Sequence, residues 1–276
     1  MYQSFSVAIS VYKNDNPVFF DRALESITDK QTIKPDEVVL VVDGPVSDET
    51  NEVIDKYASK YNFNVIRLEK NGGLGNALKI ATENCKNNLI ARMDSDDVAI
   101  DNRFEQQLNF LNENPSVDIV GGNISEFVDL ESNVISFRNV PSKDIELKKF
   151  TKKRCPFNHM TVMYKKESIF KAGGYIDWHY NEDYFLWIRM AMKGAVFANT
   201  GTLLVNVRTG IDQISRRGGR KYFESECKLQ GFMLKNNYIS LFRYLINVTE
   251  RLIVQLLMPK KLRVLFYKKI VRKNSV

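Results

Sequence analysis

Three carboxylates fall within four residues of the segment Arg92-Met93-Asp94-Ser95-Asp96-Asp97, directly after the apolar run Asn88-Leu89-Ile90-Ala91. Carboxylates this close repel one another unless a cation neutralises them, so the cluster predicts a seat for a hard divalent metal ion and, through it, a phosphate. A solvated acidic turn that caps the next helix would have the same composition. The elements that position the cluster must decide between the two interpretations.

Short apolar runs alternate with helical periodicity in the first half of the chain, which is typical of an α/β fold with a mainly parallel sheet. The pattern predicts strands and helices in turn over 5–12, 17–26, 37–42, 49–61, 63–68, 75–85 and 88–93. The acidic cluster and Asp43 then both follow strands, at the edge where open α/β sheets bind ligands. This placement favours the metal interpretation.

The glycines argue against two common nucleotide-binding classes. The turn after the first strand, Tyr12-Lys13-Asn14-Asp15-Asn16, contains no glycine, and Gly72, Gly73 and Gly75 follow the third strand without the dinucleotide-binding spacing. The chain also has no Walker A lysine motif. Hydride transfer and P-loop chemistry are therefore disfavoured, and the glycine cluster predicts either a tight strand-to-helix turn or a phosphate contact.

Length and composition indicate a globular protein with a sizeable core. The chain has 276 residues, 44% of them hydrophobic, which predicts one main domain with an appendage. Its cysteines are three in number, widely spaced and without a CxxC pair, which favours a reducing compartment. The first residues lack a basic segment followed by an apolar one, so we expect a cytoplasmic protein.

The net charge of +7 is concentrated near the C-terminus, where no acidic residue follows Glu250. Apolar residues recur there at helical spacing from Leu241 to Leu256, and Pro259 ends this helix before a second basic apolar segment. The helix is too short to span a bilayer but could lie on one, or could pack as a cap on the main domain. Basic tails also bind nucleic acid.

Five ordered motifs resemble those of family 2 glycosyltransferases. They are Ala8-Ile9-Ser10-Val11-Tyr12, Val41-Val42-Asp43-Gly44, Asn71-Gly72-Gly73, Arg92-Met93-Asp94-Ser95-Asp96-Asp97 and Asn181-Glu182-Asp183-Tyr184. The resemblance implies a GT-A fold, with a mixed, mainly parallel central sheet flanked by helices and a C-terminal helical extension. It predicts a catalytic domain over 1–225, with a nucleotide-binding half to about 100 and an acceptor half beyond it, and a basic amphipathic extension over 226–276.

The resemblance places the nucleotide at the edge of the sheet. It implies that Ser10 and Tyr12 line the nucleobase pocket, that Asp43 accepts a hydrogen bond from the base, and that Asn71 contributes to nucleotide-sugar binding. A strand-end carboxylate can accept from a uracil imide, and an aromatic ring can stack on a base. Alternatively, Asp43 is an ordinary turn residue, and Tyr12 packs against the rest of the protein without contacting a nucleotide.

The resemblance also assigns the acidic cluster. It implies that Asp94 lies toward the ribose and that Asp96, with Asp94, holds Mn²⁺ or Mg²⁺. A bound metal ion would stabilise the charge that grows on the leaving diphosphate. Arg92 would lie near the diphosphate or pair with the carboxylates, and its position in the sequence is compatible with both.

An inverting transfer needs a base opposite the leaving group, and the resemblance points to Asp183 for this role, with Glu182 binding acceptor hydroxyls. The same pair could simply be first-turn acids of the helix that continues through Met190. His159 would approach the diphosphate or metal, or serve as a structural hydrogen-bonding group. The basic pair Arg216 and Arg217 could close on the diphosphate or lie in an exposed loop.

Two departures from the family pattern are visible. Many GT-A enzymes have a histidine late in the domain as an extra metal ligand, but the comparable stretch Val207-Arg208-Thr209-Gly210 has none, so the full set of metal ligands is left open. The chain also lacks the Gln-x-x-Arg-Trp element that is typical of processive synthases. The sequence therefore predicts a single-addition enzyme.

The overall prediction is an inverting, metal-dependent glycosyltransferase that moves one hexose of the glucose, galactose or N-acetylglucosamine type. The expected donor is a UDP-sugar, and the expected acceptor is a polyprenyl-diphosphate-linked saccharide of O-antigen or capsule assembly. The expected location is the cytoplasmic face of the bacterial plasma membrane, through the basic C-terminal segment. A nucleotidyltransferase, and a basic membrane-binding or nucleic-acid-binding module, are the alternatives.

Overall fold

The computed structural model describes residues 2–178, 180–210 and 219–259. Its first half is a repeat of strands and helices that alternate along the chain. The elements are β1 (Phe5–Val11), α1 (Pro17–Ile27), β2 (Glu37–Val42), α2 (Asp48–Ala58), β3 (Phe63–Arg67), α3 (Leu74–Asn84), β4 (Leu89–Arg92) and β5 (Val98–Ala99).

The second half is less regular and places helices between antiparallel strands. Its elements are α4 (Arg103–Glu113), β6 (Ile119–Phe127), β7 (Val134–Arg138), α5 (Asp144–Thr151), a 3₁₀ turn (His159–Thr161), β8 (Met163–Lys165), α6 (Lys166–Lys171), α7 (Glu182–Met192) and β9 (Phe197–Arg208). Two further helices, α8 (Arg220–Lys235) and α9 (Leu241–Arg251), follow, and α9 continues as a π-helical segment over Leu252–Leu257.

One mixed sheet contains the strands of the described residues, in the order β3-β2-β1-β4-β8-β6-β9-β5, with β7 paired to β6. The strands β1 to β4 are parallel, as their buried Val- and Ile-rich sequences predict. Beyond β4 the direction changes, because β8 is antiparallel to both β4 and β6. β9 runs parallel to β6 and antiparallel to β5, so its C-terminal end returns to the acidic cluster.

The core lies on both faces of this sheet. One buried cluster packs α1 and α4 against it, and the other packs α3 and α7, with the fully buried Trp187 at its centre. A third cluster joins α7 to α8 and to the start of α9. The α7 helix is thus fixed on two sides, so its N-terminal turn can hold a precise position at the sheet edge.

The predicted α/β organisation and the C-terminal helical extension are both confirmed. The β2 bounds are as predicted, and the other predicted elements of the first half end within a few residues of the observed positions. The largest difference is at α2, which ends at Ala58 instead of Tyr61, because the chain there closes a turn in which the N–H groups of Lys60 and Tyr61 both bond the Tyr57 carbonyl. Helix ends commonly fray in this way.

The α9 helix packs on the body of the protein through polar residues and exposes apolar ones. The buried Asn247 donates to the Lys152 carbonyl and to Gln230 Oε1, each at 2.8 Å, and Arg251 forms an ion pair with Glu226. Phe242, by contrast, is 75% exposed and Leu257 is 68% exposed. Across residues 2–178, 180–210 and 219–259, no helix is both long and apolar enough to cross a membrane.

Candidate active site

The predicted nucleotide residues lie together at the carboxyl edge of the parallel strands. Ser10 lies near the end of β1 and Tyr12 directly follows the strand. Asp43 follows β2, Asn71 comes after β3, and Arg92 ends β4. The register of the strands brings these ends into one row, with Val11 opposite Val42 and Ala8 opposite Arg92. The sequence prediction that these segments meet at one edge is correct, while their contacts with a nucleotide stay predictions.

The Asp43 carboxylate organises the glycine turn that leads into α3. It accepts hydrogen bonds from Asn71 Nδ2 at 2.9 Å, from the Gly72 N–H at 2.7 Å and from the Gly73 N–H at 3.0 Å. Two of these donors are backbone groups just before a helix, the kind of site that stabilises an anion. Asp43 is 4% exposed, so its first role in this structure is to hold the 71–73 turn against β2.

A residue that the sequence did not single out, Asp15, links the β1 turn to the acidic cluster. Its Oδ2 atom accepts a hydrogen bond from the Ser95 hydroxyl at 2.8 Å and from the Tyr12 N–H at 3.1 Å. Burial raises the pKa of Asp15, and the nearby Asp94 carboxylate adds to that effect. The only signal in the sequence was a polar turn at a strand end, which is common.

The carboxylates of the acidic cluster repel one another, as their spacing predicts. Burial first, and then the charges of Asp94 and Asp15, raise the pKa of Asp96 to about 6. Burial, with Asp94 and Asp96, also raises the pKa of Asp97, whose Oδ1 accepts a hydrogen bond from the Arg208 N–H at 2.9 Å. Asp97 therefore has a structural partner, whereas Asp96 lines an open groove.

Arg92 is buried beneath the cluster, with 1% of its surface exposed. One end of its guanidinium pairs with Asp94, while Nε and Nη1 have no hydrogen-bond partner among the described residues. Its positive charge partly offsets the rise that burial causes in the pKa of Glu182 and Asp183, and it adds to the lowering that burial causes in the pKa of His159. The structure contains the predicted ion pair between Arg92 and the acidic cluster, while a contact of Arg92 with the diphosphate stays a prediction.

The predicted catalytic pair forms the first turn of α7, directly after the N-cap residue Asn181. Burial and the charge of Asp183 raise the pKa of Glu182 to about 7, and Asp94 contributes to the shift. The Asp183 carboxylate accepts from the Tyr184 N–H at 2.6 Å and from the Cys155 thiol at 3.4 Å, and burial raises its pKa. The pair therefore satisfies the first-turn geometry and has the raised pKa values that a base requires.

A close backbone approach brings this pair to the donor edge. A Cβ atom on Gly75, in the first turn of α3, would lie 3.1 Å from Asp177 Cα and 3.4 Å from Glu182 Cβ. Glycine at this position lets the segment before α7 pack directly on α3. The charge of Asp94 acts on Glu182 and raises its pKa, so the pair lies near the acidic cluster although the two are far apart in the sequence.

His159 lies in the 3₁₀ turn and is held by aromatic neighbours. Its Nε2 atom is 2.9 Å from the Tyr175 hydroxyl, and its ring contacts Tyr175 and Trp187. Burial, with the charge of Arg92, lowers the pKa of His159 well below its ordinary value. The contact with Tyr175 is what the structural alternative predicts, and a role of His159 at the diphosphate or metal stays a prediction.

Arg208, at the end of β9, is a second residue whose position the sequence did not predict. Its guanidinium carbon lies 3.8 Å from the Phe19 ring centre and 4.7 Å from the Phe127 ring centre. A groove of about 280 Å³ opens beside it, and the residues that line this groove are Phe19, Asp96, Asp129, Arg208, Thr209 and Gly210. The chain thus has an arginine at the acidic cluster where the family resemblance suggested a histidine.

The donor set at the cluster suits a metal ion that is shared with a substrate. Within residues 2–178, 180–210 and 219–259, no three His, Cys, Asp or Glu side chains form a group that could enclose a metal ion. Asp94 and Asp96 supply hard oxygen atoms whose mutual repulsion a cation would relieve, and Mg²⁺ commonly binds one or two carboxylates together with phosphate oxygens. The predicted diphosphate contacts Arg216 and Arg217 lie outside the described residues.

Comparisons with known proteins place this site in a family. The profile described as glycosyl transferase family 2 matches residues 6–172. The UDP-Gal:alpha-D-GlcNAc-diphosphoundecaprenol beta-1,3-galactosyltransferase of Escherichia coli is 40% identical over 98% of this chain and 97% of its own length. The amylovoran biosynthesis glycosyltransferase AmsE of Erwinia amylovora is 36% identical over 96% of this chain and 98% of its own length.

Solved structures give the same fold. The 1–349 fragment of S. aureus TarS has a TM-score of 0.66 and 18% identity, over 98% of this chain and 75% of that chain. The same fragment in complex with UDP also has a TM-score of 0.66, over 97% of this chain and 75% of that one.

The fold and the sheet-edge site define a GT-A transferase. The chain belongs to glycosyl transferase family 2 and is a glycosyltransferase. A nucleotidyltransferase and a plain binding module are therefore set aside.

Proposed function

We propose that this enzyme transfers a single hexose, with inversion, from a UDP-sugar to a polyprenyl-diphosphate-linked saccharide. The observation that carries the proposal is the meeting of two carboxylate groups at one sheet edge. Asp94 and Asp96 lie on the donor side, Glu182 and Asp183 lie at the start of α7, and Arg92 is the buried cation between them. A transfer needs a seat for the leaving diphosphate and a base opposite it, and this arrangement contains groups for both.

On the donor side, the β1 and β2 ends would hold the nucleoside. Tyr12 is half-buried beside Asp15, and Asp43 fixes the 71–73 turn, so the base would meet a preformed pocket wall. Ser10, Tyr12, Asp43 and Asn71 are the residues that we propose to line it. The structures of TarS with UDP and with UDP-GlcNAc, on the same fold, support a UDP-linked donor.

Asp96 and Asp94 would hold Mn²⁺ or Mg²⁺ together with the diphosphate. When bound, the ion would neutralise the charge that develops on the leaving nucleoside diphosphate. The raised pKa of Asp96 supports the assignment, because carboxylates that repel one another gain from a shared cation.

On the acceptor side, Asp183 would take the proton from the attacking hydroxyl while Glu182 binds neighbouring hydroxyls. Burial raises the pKa of both carboxyl groups, which favours proton capture, and the charge of Arg92 opposes part of that rise. The Escherichia coli relative supports the acceptor class, since its name specifies a GlcNAc-diphosphoundecaprenol acceptor. The Erwinia relative and the O-antigen glycosyltransferase WbnJ support surface-polysaccharide assembly.

The direct test is a transfer assay with a panel of UDP-sugars, Mn²⁺ and a synthetic GlcNAc-diphosphate-lipid, followed by mass measurement. We expect one hexose to be added with one donor of the panel and transfer to be lost in Asp96→Ala. No mass increase with any donor, or full activity of Asp96→Ala, would refute the proposal.

We also propose that the C-terminal segment attaches the enzyme to an anionic membrane surface, where a lipid-linked acceptor lies. The supporting observation is the inverted packing of α9, which buries Asn247 and exposes Leu241, Phe242 and Leu245. Exposed leucines on the π-helical segment extend this apolar face, and eight basic residues without an acidic one follow Glu250. Apolar burial and attraction to anionic lipid act together in such segments.

Vesicle flotation tests this attachment. The double variant Phe242→Glu/Leu245→Glu should lose most binding to vesicles that contain phosphatidylglycerol, while transfer to a water-soluble short-chain acceptor is retained. The matched control is Ile145→Glu, an exposed apolar residue of α5, which should float like the wild type. Equal flotation of all three proteins would exclude α9 as the attachment surface.

A further inference from the structure

Arg208 is brought to the acidic cluster by the sheet itself. β9 pairs with β5, with Asn206 opposite Val98, and this places the end of β9 directly beside Asp96 and Asp97. The Arg208 N–H donates to Asp97 Oδ1 at 2.9 Å, and its Nε donates to the Asp96 carbonyl at 3.3 Å. The position of Arg208 is therefore coupled to the backbone of the cluster.

The guanidinium is held in one orientation. It lies 3.8 Å from the Phe19 ring centre on α1 and 4.7 Å from the Phe127 ring centre on β6, and Nη1 donates to the Asp129 carbonyl at 3.0 Å. Cation–π contacts of this kind fix the plane of an arginine side chain. A long side chain that is already ordered loses less entropy when it binds a ligand.

The groove beside Arg208 presents opposite charges to one space. Asp96, Arg208 and the Phe19 ring are among the residues that line this groove, whose volume is about 280 Å³. Asp94 and Asp96 would hold the metal ion of the proposed function, while a diphosphate carries several negative charges. An ordered arginine beside these carboxylates is suited to bind phosphate oxygens directly.

We propose that Arg208 is a donor-binding residue that contacts the diphosphate of the nucleotide sugar from the groove side of the acidic cluster. This inference rests on the proposed function, because it assumes that the nucleoside diphosphate binds at the Asp94–Asp97 edge. It assigns a binding role to the arginine that stands where the family resemblance suggested a histidine ligand.

The test compares nucleoside diphosphate and nucleoside binding by calorimetry, in Mg²⁺ and in chelator. The probe is the tightest ligand among UDP, GDP, ADP and CDP, and the reference is its nucleoside. Arg208→Gln should weaken diphosphate binding by about 10- to 100-fold in both conditions, with nucleoside affinity unchanged. Arg208→Lys should recover part of the loss, since it restores charge without the planar fork.

Arg22→Gln is the matched control. Arg22 pairs with Glu131 in the same 128–133 turn that Arg208 contacts, so its loss disturbs that turn while the groove cation remains. Equal weakening by Arg22→Gln, equal loss of nucleoside binding, or wild-type diphosphate affinity in Arg208→Gln would each overturn the inference. If the wild type binds none of the four nucleoside diphosphates, both the proposed function and the role of Arg208 are refuted.

Discussion

At the scale of single residues, the candidate site brings several carboxylates that repel one another close to the buried Arg92. Glu182 and Asp183 repel each other at the start of α7, Asp94 adds to the repulsion, and Arg92 opposes it. Burial is the largest cause of the raised pKa in both members of the pair. Burying two neighbouring carboxyl groups is costly for folding, and the raised pKa values make the groups better able to accept a proton.

The pH dependence of transfer follows from this balance. Because a base must be ionised, kcat/KM should rise with pH, and the rise should lie above the ordinary range of a carboxylate because burial raises the pKa of both members of the coupled pair. The groups that face the pair are Arg92, Asp94, Cys155 and Arg138. Asp183→Asn should lower kcat by about 10²- to 10⁴-fold, while the exposed Asp177→Asn should keep both rate and profile.

Removing the charge of Glu182 should stabilise the ligand-free protein. Its folded pKa of about 7 lies above its ordinary 4.5, so the native state is favoured below pH 4.5 and loses that advantage as the pH rises through 7. Glu182→Gln should therefore raise the free energy of unfolding at pH 8 by about 2 to 3 kcal/mol, and by little near pH 4.5. Denaturant titrations at both pH values measure this. A gain that does not depend on pH, or one matched by the exposed Glu52→Gln, would contradict it.

At the scale of elements, the strands of the first half were predictable and the long-range contacts were not. Buried runs such as Glu37–Val42 sit between turn residues, so local sequence determines where they begin and end. Asp15 meets Ser95 across 80 residues and Arg208 meets Asp97 across 111, and neither pairing leaves a local pattern. The α9 helix shows the same limit, because spacing predicts an apolar face but not whether that face is covered.

The turn between β2 and α2 should be sensitive to a single methyl group. Gly44 has a φ of +85°, and a Cβ atom there would lie 2.7 Å from the Asn71 nitrogen. Gly44→Ala should destabilise the fold by about 2 to 4 kcal/mol and weaken nucleotide binding, because it separates Asp43 from the 71–73 turn.

Gly194→Ala is the control that separates the cost of backbone strain from the cost of the steric contact with Asn71. Gly194 has a nearly identical φ of +83°, yet a Cβ atom there would meet nothing within 4 Å. Its substitution should cost only about 1 kcal/mol and leave nucleotide affinity unchanged. If denaturant unfolding gave equal losses of stability in Gly44→Ala and Gly194→Ala, the contact with Asn71 would make no contribution and this prediction would be wrong.

At the scale of the whole molecule, the fold gathers segments from across the chain to one edge of a mixed sheet. Parallel strands bring the ends of β1 to β4 together, the returning β9 adds Arg208, and α7 presents Glu182 and Asp183. The exposed apolar face of α9 and the basic residues after it lie in the C-terminal part of the sequence. The chain thereby combines the candidate active site with an exposed apolar helix face and a basic C-terminal segment, the two features on which the proposed membrane attachment rests.

The central claim is a single displacement in which the base and the leaving diphosphate lie on opposite sides of the sugar. The most direct measurement is the anomeric configuration of the new linkage, determined by NMR on the product formed from an α-linked UDP-sugar. We predict a β-linked product from the wild type and almost none from Asp183→Asn. An α-linked product, or a β-linked product formed equally well by Asp183→Asn, would contradict it.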